Sequence, residues 1–156
     1  RMLIWDNFYA NDYCPRRLFI GPWRRPAGAS NILLNPTGLI ETDKLLLEVM
    51  LIGDDVDKWR DLLGQHLPPA FFTVAYYFDA PYGFAPKFAP PPVEVALAAV
   101  DQLLWQWKSR LQREWYPVLM GLKQDLLIAE QQMPDERIAK TQSAALSGVL
   151  LKPSGD

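Results

Sequence analysis

One cysteine, Cys14, and one histidine, His66, are all this chain holds of the residues that build thiolate and imidazole metal centres. A lone cysteine closes no intrachain disulfide and seeds no thiolate cluster, and a lone histidine supports no histidine-based zinc site. No cofactor and no metal are therefore expected. Also missing are a phosphate-binding glycine loop, an HExxH helix, a nucleophile elbow and any repeat of fixed period. No run reaches the ~18 uncharged apolar residues of a membrane span, and Arg1 to Asp6 lack the apolar stretch of a signal peptide. These absences suit a soluble chain in the cytoplasm or inside a larger assembly, with no membrane contact.

Excess charge is lacking too. Sixteen Lys and Arg against 18 Asp and Glu leave a formal charge of −2, which opposes a general attraction to nucleic acid or anionic membrane. What the chain has is apolar material: 49% hydrophobic and 22% charged residues over 156 positions, enough for one domain with a real core.

The most patterned stretch spans residues 92–131. Leu97, Val100, Leu104, Trp107, Leu111, Trp115, Val118, Leu122 and Leu126 recur at steps of three or four, one face of a helix. Pro92 and Glu94 suit its first turn. Pro117 falls inside the pattern, where a proline removes a backbone hydrogen bond and bends the helix. A continuous kinked helix of this length would span about 60 Å, beyond the roughly 40 Å of a globule this size. Trp115, Tyr116, Val118, Leu122 and Leu126 are accordingly expected to meet another chain. The alternative is that the bend returns the second half to the same core. Trp105 lies on the other face among polar residues, as an interface anchor would.

Before that helix, residues 79–91 form a connector rich in proline, whose Tyr82, Phe84 and Phe88 are further partner-binding candidates. Beyond it, residues 134–148 read as a short C-terminal helix.

In the N-terminal half, residues 1–28 read as an extended arm. Arg1, Arg16, Arg17, Arg24 and Arg25 against Asp6 and Asp12 give it a local charge of +3. Trp5 and Trp23 are interleaved, so Arg16, Arg17, Arg24 and Arg25 with these tryptophans make a candidate surface for single-stranded nucleic acid. The alternative is that the aromatics anchor the arm while the arginines pair with acidic protein groups. Residues 29–78 read as a small α/β body. Arg17 to Ile20 is a strand candidate, Asn31 to Leu34 and Gly38 to Thr42 flank a turn at Asn35 to Gly38 as a hairpin, and Lys44 to Ile52 reads as a strand, with a short helix the alternative. Asp54 caps a helix that runs to His66, and Ala70 to Phe78, rich in aromatic residues, reads as another strand.

The fold expected is α+β. It comprises a sheet of about four to five strands with one crossover helix, the connector rich in proline, a long kinked helix and a short C-terminal helix. Three functions fit: a non-enzymatic structural or interaction subunit of a homo-oligomer or larger multiprotein assembly, a nucleic-acid-contacting accessory subunit, or an enzyme without a recognisable motif. For the last, Asp54, His66 and Tyr82 are the polar candidates.

Overall fold

The computed structural model of the chain describes residues 3–12, 16–80 and 86–130. The chain runs β1 (Leu3–Asp6), β2 (Asn31–Leu34), α1 (Ile40–Ile52), α2 (Val56–His66), α3 (Pro69–Thr73), α4 (Tyr76–Asp79), α5 (Val93–Trp105) and α6 (Arg110–Ala129). The expected sheet of four to five strands is absent among the described residues. β1 and β2 pair in parallel, Leu3 beside Asn31 and Asp6 beside Leu34, and the other regular elements are helices.

Each displaced strand has a physical reason. Asn31 to Leu34 is extended, but its partner is β1 rather than Gly38 to Thr42. The turn at Asn35 to Gly38 leads into α1, because Asp43 accepts hydrogen bonds from the Thr37 and Gly38 amides and from Thr37 Oγ1. Lys44 to Ile52 belongs to α1. Its leucines, methionine, lysine and glutamate are good helix formers, and Thr42, Leu45, Leu46 and Val49 supply a buried helical face. Gly53 then ends the helix with φ of 81°. Ala70 to Phe78 is divided between α3 and α4. Pro69 occupies the first turn of α3, where its missing N–H costs nothing.

The long kinked helix is likewise absent. The break lies at residues 106–109, and Pro117 sits inside an assigned helix, α6. Ser109 Oγ accepts from the Gln112 amide at 2.9 Å, while Gln112 Nε2 reaches back to the Leu104 carbonyl at 3.1 Å. This Ser-x-x-Gln start resembles a capping box. The apolar pattern runs on through the break because α5 and α6 both face one core.

That core is aromatic at its centre. Trp115 is fully buried, stacks on Phe78 with centroids 5.8 Å apart, and meets Phe71 at 5.8 Å and Trp107 at 5.5 Å. α2 contributes Trp59, which packs on Phe71, Phe72 and Phe88. α2 begins as expected, except that Asp55 rather than Asp54 accepts the Lys58 amide.

The N-terminal arm is no appendage. Leu18, Phe19 and Ile20 are fully buried, in irregular backbone rather than a strand. Phe78 O accepts the Ile20 amide at 2.7 Å, and Ile20 O accepts Trp59 Nε1 at 2.8 Å. Gly21 follows, so close to α4 that a Cβ there would lie 1.9 Å from Asp79 O. Gly21→Ala must push the arm off α4, and we expect a loss of about 3 kcal/mol in urea denaturation.

α1 offers no cap of its own, since Leu39 stands at the capping position. The cap comes from α6. Glu114 accepts the Glu41 and Thr42 amides at 2.9 Å each and Thr42 Oγ1 at 2.8 Å. Trp115 Nε1 donates to the same Thr42 hydroxyl at 2.8 Å. Glu114→Ala leaves two amides at the helix start without acceptors, so stability should fall by about 2–3 kcal/mol. Glu114→Gln, which keeps one oxygen, should lose less in the same denaturation series.

Candidate functional site

Of the residues expected at a partner surface, the structure divides those on α6 sharply. Trp115, Val118, Leu122 and Leu126 are at most 9% exposed and sit in the chain's own core. α6 folds back along α5, so this ridge is covered from within. Trp105 and Tyr116 lie outside it, 52% and 39% exposed. Phe88 is half-buried against Trp59, with centroids 5.0 Å apart. Tyr82 and Phe84 lie outside the described residues, as does the expected helix at 134–148.

Trp105 and Tyr116 meet edge to face across the α5–α6 elbow, their centroids 6.1 Å apart. Trp105 Nε1 also donates to Asp101 Oδ1 at 3.3 Å, and the same oxygen accepts Lys123 Nζ at 2.6 Å. The indole is thus held in place while about half of the residue stays exposed. One turn before it lies Gln102, and with Val95 and Ala98 this residue borders a shallow depression floored by Ala70 and Ala99 and walled by Thr73 and Glu94. Val95, Ala98, Gln102 and Trp105 form one continuous stripe of α5.

The arginine-rich arm is placed differently from an open groove. Arg16 pairs with Asp125 at 3.0 Å and reaches the Gly121 carbonyl. Arg17 is 9% exposed, donates to the Tyr77 carbonyl at 2.9 Å and lies over the Phe19 ring. Trp23 is buried and donates to Asp6 Oδ2 at 2.9 Å. Arg24, Arg25 and Trp5 remain on the surface, with Arg24 3.7 Å from Asp54 and Arg25 donating to the Ala29 and Ser30 carbonyls. Arg1 lies outside the described residues.

Asp54 and His66, the catalytic candidates among the described residues, do not converge. Asp54 precedes α2 and His66 ends it, so the helix holds them about 18 Å apart. His66 Nε2 lies 3.5 Å from Glu48 Oε2. Among the described residues, no three His, Cys, Asp or Glu side chains are grouped to hold a metal ion, and no helix is long and apolar enough to cross a membrane.

Two apolar surfaces stand apart from the expected partner face. Ile40, Leu47 and Leu51 line the outer face of α1, and Leu3, Trp5 and Leu33 are exposed on the two-stranded sheet. The first has a legible signal, spacing of seven and four within a helix, visible only once 40–52 is read as helical. No family model matches the chain, and no curated protein or solved structure is significantly similar to it.

One buried titratable group stands out. Asp125 is pushed up to about 6 by burial, against the pull of Arg16 and Arg17. In the unfolded chain it titrates near its ordinary 3.8. Between those values the folded form holds the proton more tightly, so this group favours folding in acid and loses that contribution as pH rises toward 6. The loss should come to about 2 kcal/mol, solvent around the partly exposed Arg16 screening the rest. Urea denaturation from pH 4 to pH 7 should show Asp125→Asn without this downward component, the difference from the parent chain growing up to pH 6 and then levelling.

Proposed function

We propose that this chain is a non-enzymatic structural or interaction subunit of a protein assembly, in the cytoplasm or inside a larger particle. It docks a protein partner at the α5–α6 elbow. The observation that carries the reading is the Trp105–Tyr116 pair, two large aromatics held edge to face yet open to solvent. Tryptophan and tyrosine dominate binding energetics where a partner can desolvate them, and an indole already fixed by Asp101 loses little freedom on docking. The stripe of Val95, Ala98 and Gln102 extends that contact along α5 into the neighbouring depression.

Trp115, Val118, Leu122 and Leu126 have no part in such a contact, being spent on the core. Among the described residues, the expected partner-facing set therefore reduces to Trp105 and Tyr116, with Phe88 at the margin of Trp59.

Affinity capture with the intact chain, followed by quantitative mass spectrometry, tests the reading. A protein partner should be recovered in stoichiometric amount, and Trp105→Ala with Tyr116→Ala should weaken its binding by at least about thirtyfold, the scale of one hot-spot residue. Equal recovery by the parent and the double variant, or no partner at all, would defeat the proposal.

A further inference from the structure

α1 carries an apolar face on each side. Inward it buries Leu45, Leu46 and Val49, and outward it presents Ile40, Leu47 and Leu51 at 69%, 56% and 88% exposure. Surface helices ordinarily turn charge toward water on that side. Here Ile40, Lys44, Leu47 and Leu51 follow one another at steps of four, three and four, the spacing of a coiled-coil seam. Lys44 is the one charged residue within it, and Glu48 borders it.

We infer that this face of α1 docks a second copy of this chain, with the two helices antiparallel about a two-fold axis. The pattern is its own complement under that operation. Reversed about the midpoint between Leu45 and Leu46, Ile40 falls opposite Leu51 of the other copy, and Lys44 opposite its Leu47. Each Lys44, already paired with its own Glu41, then comes beside the other copy's Glu48, so the charges at the centre of the seam lie next to opposite charge rather than like charge, twice per dimer. A parallel pairing would set Lys44 against Lys44.

The remaining acids of α1 are already engaged. Glu41 is paired with Lys44 and Arg110, and Asp43 closes the loop at Thr37 and Gly38. Glu48 faces His66 at 3.5 Å within its own chain, both side chains remaining partly exposed. A single lysine in a seam fixes register at some cost in stability. So short a seam covers less than the roughly 800 Å² per partner of a standard interface, so the dimer is a micromolar one rather than a nanomolar one. The surface is separate from the α5–α6 elbow, and the inference stands or falls independently of the partner proposed there.

Sedimentation equilibrium of the full chain from about 1 to 500 µM reads this out, with circular dichroism to confirm that each variant is folded. The parent should show a monomer–dimer equilibrium. Leu47→Asp and Leu51→Asp should each weaken it at least about tenfold, a step of 1.4 kcal/mol. Lys44→Glu, which sets acid against Glu48, should also weaken it, and adding Glu48→Lys should restore association to within about threefold of the parent. A strict monomer over the whole range overturns the inference. So does a dimer indifferent to Leu47 and Leu51, or a charge swap that fails to rescue.

Discussion

Glu114 closes the start of α1 from a helix 72 and 73 residues further along the chain, and the surfaces of the molecule follow from that contact. A helix with leucine at its capping position leaves its first amides without an acceptor. The carboxylate that satisfies them fixes where α6 lies and how it is turned. Trp115 is the next residue, so it points into the body, bonds Thr42 and stacks on Phe78. Tyr116, a further 100° around the helix, turns out to meet Trp105. On the other partner, drawing Thr42 inward rotates Ile40, Leu47 and Leu51 to the far side of α1.

The sequence was legible where a local signal had no rival. α2 could be read because acidic residues precede a helical pattern, and the extended state of Asn31 to Leu34 because a proline and a glycine follow it closely. Segments apolar on every side were not, since periodicity does not distinguish a buried strand from a buried helix. That ambiguity covered Lys44 to Ile52, where helix formers decided the matter, and Ala70 to Phe78, where packing against Trp115 and Trp59 overrode the β preference of aromatic residues. At residues 106–109 the Ser109 to Gln112 cap was present in the sequence, but the apolar pattern running through it suggested continuity.

For the candidate surface, the sequence located Trp105 on the wet side of its helix. It could not separate Tyr116 from Trp115, because that distinction depends on which residues of α6 face α5 and α1. The arginines show the same limit. Arg16 and Arg17 read as basic groups beside aromatics, and only their neighbours in space, Asp125 and the Tyr77 carbonyl, direct them inward.

The cap has a bearing on how the molecule is made. A ribosome delivers residues 40–52 well before Glu114, and the buried segment Leu18 to Ile20 earlier still, so neither finds its final surroundings until α6 has emerged. The nascent chain must keep the leucines of α1 out of mischief through that interval. A helix apolar on two sides, awaiting its last hydrogen bonds, leaves both of its apolar faces without their final cover through that interval.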